Sequence, residues 1–328
     1  MTSSLKVEFV DRAMALALLP KREEVAHKWG VGGLVIVGGS PGYIGAPALA
    51  AMGAARSGAG IISLAISRSS VGATATLVPE AVFVPLPESD TVQGVQKAIE
   101  LISPQVEKSQ AIVVGPGLSR DESAYALLGG LFGETNHTGS RSMGFGSRSK
   151  ETTTQQENAV IGKETPAVVD ADALHWLSER ESWWDKVAPR SLILTPHVGE
   201  LAALSIRHAD HILADPALAV RDAAVAWNQT VVLKAGKAYV SDGQIVRTVE
   251  TASPALATAG SGDVLSGSIG AFLAQGLDPV DAVSLAIYAG TEAALHLTRE
   301  LSTLGVVASD LPKAIAKVLA ELEIESMG

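Results

Sequence analysis

Short apolar runs rich in Val, Ile and Leu recur along this chain, and each is closed by glycine, aspartate, Thr-Pro or Lys-Ala-Gly. They are "GGLVIVGG" (32–39), "GIISLAIS" (60–67), "QAIVVGPG" (110–117), "PAVVDADAL" (166–174), "SLILTPHVGE" (191–200) and "TVVLKAGKAYVSDG" (230–243). Each is too short for a helix, and a continuous apolar run of that length fits a strand buried on both faces. Between them lie alanine-rich stretches with helical character, such as "APALAAMGAARSG" (46–58), which Gly58 stops, and "DPALAVRDAAVAWNQ" (215–229). The last third reads as three helices, 262–276, 278–300 and 309–325. Strand–helix alternation predicts an α/β fold, a mostly parallel sheet with helices on both faces. Ligands of such sheets bind at the carboxyl ends of the strands. The chemically distinctive residues of this chain fall at those ends.

Composition narrows the chemistry. Of 328 residues 47% are hydrophobic but only 4% aromatic, so the core is built from small side chains packed closely. The net charge of −10 argues against nucleic acid or an anionic membrane as partner. With no cysteine, disulfides, thiolate-bound zinc, iron–sulfur clusters and a thiol nucleophile are excluded. No apolar run approaches 18 residues, and "AMALALLP" near the start lies between charged pairs, so it reads as a short helix and the protein as cytoplasmic. Residues 133–165, rich in Ser, Thr, Gly and Gln, read as a flexible insertion within a single domain spanning 1–328.

Six stretches carry chemistry. "GGSPGYIGAPALAAMGAARSGAG" (38–60) has no G-x-G-x-x-G spacing, and reads equally as a ligand loop or as tight packing of a helix. "VVGPGLSRD" (113–121) is a strand-to-helix turn with Asp121 near a helix start. In "VVDADAL", Asp172 suits a helix cap, and Asp170 a metal-linked or water-linked role for which magnesium is the fitting ion. In "LTPHVGEL", His197 is a candidate ligand contact and Glu200 a helix cap. "VVLKAGKAYVSDG" suits a nucleotide phosphate, or a hairpin turning at Asp242–Gly243. Finally "TAGSGDVLSG" (258–267) puts Gly260, Ser261 and Gly262 at the start of an apolar helix, where free N–H groups form an anion nest. A phosphoryl group bound there would place its reacting end beside Asp263, a candidate general base.

Those residues resemble the ribokinase-like superfamily, whose G-[ST]-G-D motif opens a helix late in an α/β chain. More narrowly, "GGSPGYIGAPALAAMGAARSGAG", "GPGL", "VVDADAL", "LTPHVGE" and "ATAGSGDVLSG" are similar in order and wording to the ADP/ATP-dependent NAD(P)H-hydrate dehydratases. The resemblance implies a three-layer ribokinase-like fold and a hydro-lyase that repairs hydrated NADH or NADPH. In that family a nucleotide phosphorylates the ring hydroxyl and phosphate then leaves, with ADP or ATP as co-substrate and Mg2+ assisting. It assigns Asp263 as catalytic, with Ala46, Gly117, His197 and Asp263 toward the hydrated cofactor. Lys234, Ala235, Gly236, Lys237, Ala238, Gly260, Ser261 and Gly262 fall toward the nucleotide, and no metal ligand is assigned. It further implies a homo-oligomer, often a tetramer, with any epimerase a separate protein. A small-molecule kinase of the same superfamily and a catalytically silent nucleotide-binding protein are the competing readings.

Three departures from the family pattern stand out. "KAGKA" (234–238) has Ala238 where K-G-x-x-T ends in threonine, "SPAL" (253–256) stands for N-x-G-M, and "GPGLS" for GPGLG. They bear on nucleotide choice more than on reaction class.

Overall fold

A computed structural model describes residues 6–22, 28–134 and 159–327. Among them one sheet holds ten strands: β1 Val7–Phe9, β2 Gly33–Val37, β3 Ile61–Ser67, β4 Val82–Leu86, β5 Ala111–Val114, β6 Ala167–Val169, β7 Leu192–Leu194, β8 Thr230–Ala235, β9 Lys237–Ser241 and β10 Val246–Thr248. The spatial order is β1-β10-β9-β8-β7-β6-β5-β2-β3-β4. From β8 to β4 all neighbours are parallel, for example Val35 against both Ser63 and Ile112. The β8–β9 and β9–β10 pairs are antiparallel. The second of these connections turns at Asp242–Gly243, where the Asp242 carboxylate accepts from the N–H groups of Gln244 and Ile245.

The buried strand residues sort by face. Leu34, Ile36, Leu64, Ile66 and Val113 join the core under helices Gly45–Arg56, Ser261–Ala274, Pro279–Gly305 and Leu311–Met327. Val35, Val37, Ala65, Ile112 and Val114 join the opposite core, under helices Val92–Val106, Glu122–Leu131, Asp172–Ser178, Val198–Ser205 and Pro216–Trp227. This is the three-layer α/β architecture expected, and burial on both faces is why the central strands read as unbroken apolar runs. Two edge strands, β1 and β4, lie outside the runs singled out in the sequence. β4 carries Pro85, which an edge tolerates because β4 pairs with β3 alone.

Glycine sets one contact that positions the site. A Cβ on Gly267 would stand 1.9 Å from the Ala50 carbonyl oxygen, and one on Gly53 2.5 Å from that of Val264. Helices 45–56 and 261–274 therefore meet backbone to backbone, which answers the open reading of the 38–60 stretch for its helical part: here its small residues serve packing. Of the 133–165 segment, residues 135–158 lie outside the described residues. Its described ends meet at one helix end: the N–H groups of Val160 and Ile161 donate to the Leu131 carbonyl at 2.8 and 3.0 Å, and Glu134 pairs with Arg180 at 3.1 Å.

Candidate active site

The carboxyl ends of β5 to β8 and the start of the 261–274 helix converge. Gly260 enters that helix at φ 90°, left-handed backbone that suits glycine, and no side chain caps it. The Ser261 N–H turns back to the Thr258 carbonyl at 3.3 Å, and its hydroxyl donates to the carbonyls of Leu256 and Thr258. The anion nest expected from Gly260, Ser261 and Gly262 therefore offers its open donors from Gly262 onward. A Cβ on Gly262 would lie 3.3 Å from Lys234 Nζ, so the helix start and the end of β8 face each other across a narrow gap.

Asp263 follows directly, half-buried, and among the described residues its side chain has no hydrogen-bond or ion-pair partner. Burial pushes its carboxyl up to about 7, and the nearby Asp170 and Asp172 carboxylates add to that rise against the pull of Lys234. A carboxylate with a pKa near neutrality is chemically able to accept a proton.

Asp170, 2% exposed at the end of β6, is treated in the opposite way. Its Oδ1 accepts from Lys234 Nζ at 2.9 Å and its Oδ2 from Ser266 Oγ at 2.5 Å. Burial acts to raise its pKa, but the Lys234 charge and the Ser266 hydrogen bond outweigh burial and hold the carboxyl below its usual range. Asp170, weighed in the sequence for a metal-linked or water-linked role, is held here in a buried ion pair. Lys234 is kept protonated, because Asp170 and Glu200 more than offset the cost of its burial.

Other sequence candidates resolve locally. His197 caps the helix Val198–Ser205: its Nδ1 accepts from the N–H groups of Gly199 and Glu200 at 3.0 and 3.2 Å. Glu200 closes the capping box by accepting from the His197 N–H at 2.8 Å. The His197 side chain, 60% exposed, leaves its Nε2 edge toward solvent and toward Glu200 Oε1 at 3.5 Å. Asp172 is not the expected cap, since Ala171 is the cap residue of helix Asp172–Ser178. Asp172 instead accepts from the Ser119 N–H at 2.9 Å and pairs with Arg120 at 3.2 Å, which ties the β5 turn to the β6 end. Asp121 caps the helix Glu122–Leu131. Gly117 takes φ 67°, and a Cβ there would stand 2.7 Å from the Tyr43 carbonyl oxygen and 3.0 Å from Ala46 Cβ. Gly117 and Ala46, joined in the sequence reading only by their assignment to the cofactor side, are therefore neighbours.

A cavity of about 450 Å³ opens beside the helix start. Lys234, Ala235, Gly236, Lys237, Ala238, Ser261 and Gly262 all line it, while Gly260, Ala46, Gly117, His197 and Asp263 do not. The nucleotide group read from the sequence is thus gathered at one cavity, with Gly260 just behind it. Pro254 and Leu256 of the "SPAL" stretch, which the sequence tied to nucleotide choice, line it too, but the sequence reading missed Val249, Ile287, Leu311 and Ile315, which help make the wall largely apolar. It also missed Ser266, the second partner of Asp170. One turn after Asp263 in a helix, such a serine gives no signal until the fold brings β6 beneath it.

Comparison with known proteins gives the family and the fold. A family model described as NAD(P)H-hydrate dehydratase matches residues 34–136 and 141–317. An ADP-dependent (S)-NAD(P)H-hydrate dehydratase of Neisseria meningitidis is 34% identical over 265 residues, 80% of this chain and 75% of that one. A bifunctional NAD(P)H-hydrate repair enzyme of Moorella thermoacetica is 32% identical over 327 residues, 99% of this chain but 56% of that one. This chain spans about half the length of the bifunctional relatives it matches. Two solved structures share the fold. A ribokinase-like superfamily protein of Enterococcus faecalis has TM-score 0.76 at 19% identity, covering 96% of each chain. An ADP/ATP-dependent NAD(P)H-hydrate dehydratase of Bacillus subtilis, co-crystallized with ATP/Mg2+, has TM-score 0.76 at 24% identity, covering 97% of this chain and 100% of that one. The chain belongs to the NAD(P)H-hydrate dehydratase family.

Proposed function

We propose that this chain dehydrates hydrated NADH or NADPH at the expense of a nucleotide, ADP or ATP. The observation that carries the reading is Asp263: a carboxylate poised near neutrality, beside an uncapped helix start, next to a cavity lined by the Lys234–Ala238 hairpin of β8 and β9. The base and sugar occupy the apolar cavity. The terminal phosphate lies at the Gly262 end of the helix, where open N–H groups and the Lys234 ammonium favour negative charge. The hydrated nicotinamide ring approaches from the side of Ala46, Gly117 and His197, and presents its hydroxyl to Asp263.

Asp263 takes the hydroxyl proton as the oxygen attacks the terminal phosphorus, and the shortened nucleotide leaves. The ring C–O bond then breaks and phosphate leaves, while the adjacent ring carbon gives its proton to the departing phosphate or to water. This restores the dihydronicotinamide double bond and frees inorganic phosphate. Among the described residues no group of three or more His, Cys, Asp or Glu side chains could hold a metal. Asp170 and Glu200 are already engaged. Among the described residues no cage for Mg2+ forms, and an ion bound together with the nucleotide would neutralise phosphate charge.

Among the described residues no helix is long and apolar enough to cross a membrane. A cytoplasmic setting, a single domain with 133–165 as an insertion and a homo-oligomer complete the proposal. The test supplies hydrated NADH with ADP or ATP and magnesium and follows the absorbance of regenerated NADH. Regeneration with at least one nucleotide, and none without, is expected. No NADH with either nucleotide overturns the proposal.

A further inference from the structure

We propose that Asp170 is a positioning residue for the nucleotide: it fixes the Lys234 ammonium at the start of the 261–274 helix, so that the terminal phosphate meets a cation already in place. The inference rests on the reading of Lys234 as a nucleotide contact, and its argument is geometric. A lysine on a four-carbon stem is flexible and ordinarily loses side-chain entropy when it engages a ligand. Here that freedom is already removed. Nζ is held by Asp170 Oδ1 at 2.9 Å and lies against Gly262, where any larger residue would crowd it. Lys234 N–H donates to the Pro196 carbonyl at 2.9 Å, which anchors the stem at the β7 end.

Asp170 is itself rigid. It is 2% exposed, its N–H donates to the Val114 carbonyl, and a Cβ on Gly115 would stand 1.8 Å from its own carbonyl oxygen. Ser266 completes the clamp, donating to Asp170 Oδ2 while its Oγ lies 3.0 Å from the Gly262 carbonyl. One carboxylate thus joins β6, β8 and the helix that bears Asp263. Asp170 touches no reacting atom in this arrangement and acts through Lys234.

The charged groups around the pair are few. Asp170, Glu200 and Asp263 face Lys234, while Asp170, Asp172 and Lys234 face Asp263. Glu200 is bound to His197 and Asp172 to Arg120. Replacing Asp170 by Asn keeps its size, removes one negative charge from the surroundings of Asp263 and loosens Lys234. The lost charge favours ionised Asp263, and an ammonium freed from Asp170 turns to its remaining anionic neighbours, Asp263 and Glu200, which acts in the same direction.

The experiment measures ADP binding to the full chain by calorimetry, without hydrated cofactor, alongside the pH dependence of kcat/KM and thermal melting. Asp170→Asn is expected to weaken ADP about tenfold and to move the acid limb of the pH profile to lower pH. Lys234→Met is expected to weaken ADP at least as much, and Asp170→Asn added to Lys234→Met to cost no further affinity, since the carboxylate acts through the lysine. The double variant is also expected to melt higher than Lys234→Met alone, which leaves a buried carboxylate unpaired. If Asp170→Asn does not fold, Ser266→Ala, expected to weaken ADP about threefold, carries the test with the double variant. Folded Asp170→Asn with unchanged ADP affinity and acid limb overturns the inference, as does unchanged affinity in Ser266→Ala or a further loss in the double variant. Because ADP binding needs no hydrated cofactor, a wild-type chain that binds ADP but regenerates no NADH would overturn the dehydratase reading and leave this one standing.

Discussion

The end of β6 and the start of the 261–274 helix each present an aspartate to the same ammonium, and the fold treats the two oppositely. At the β6 end Asp170 is sealed and paired through both oxygens, and its carboxyl is held low. At the helix start Asp263 is half-buried and unpaired, and its carboxyl is pushed up to about 7. The same residue type is a fixed structural anion in one place and, in the proposed reaction, the base in the other. What separates them is partnership, since burial acts to raise both.

The largest expected effect comes from removing the unpaired member. Asp263→Asn should lower kcat by about 10²- to 10⁴-fold, the usual worth of a positioned general base, while ADP binding measured by calorimetry is largely kept. Turnover near the wild-type rate would erase the functional difference between the two aspartates. Next comes the packing of the helix that bears Asp263. Gly267→Ala places a methyl 1.9 Å from the Ala50 carbonyl oxygen, so helices 45–56 and 261–274 must separate. A loss of about 1–3 kcal/mol in denaturant unfolding is expected, with a fall in activity.

The same Asp263→Asn variant sharpens the comparison through stability. A carboxyl whose pKa is higher folded than unfolded binds protons more readily in the native state. Ionising it therefore costs stability as pH rises from the unfolded value of about 4 through about 7. Relative to wild type, Asp263→Asn should be more stable at pH 8 than at pH 5 in thermal melts. An equal difference at both pH values would show that Asp263 titrates like an ordinary surface carboxylate. The smallest effect is expected at Ala238, which touches neither aspartate in this account. Ala238→Thr, restoring the family's usual residue in the cavity wall, should change nucleotide KM only a few-fold. A shift of a hundredfold would place nucleotide recognition in that loop and not at the helix start.

Much of this was legible in the chain. The strand runs, the helix starting at Gly260–Asp263 and the Lys234–Ala238 loop could be read because period, glycine placement and strand-end chemistry are local signals. Asp172 was misread as a cap because capping potential is local but its partners, Ser119 and Arg120, come from the neighbouring strand end. The Asp170–Lys234–Ser266 clamp was invisible for the same reason, since its members are 64 and 96 residues apart. The apolar wall of the cavity was hidden by its ordinariness: Ile287, Leu311 and Ile315 look like any core positions of their helices until the cavity beside them is seen.

The claim that binds these observations is that Asp263 is the base and that its surroundings hold it ready near neutral pH. The pH dependence of kcat/KM for hydrated NADH, at saturating nucleotide, tests it most directly because it reports the ionisation of the essential base before the hydrated cofactor binds. The account predicts an acid limb with a midpoint near 7, activity rising as Asp263 loses its proton. A midpoint near 4, the usual carboxylate range, or activity that falls as pH rises through 7, would contradict it.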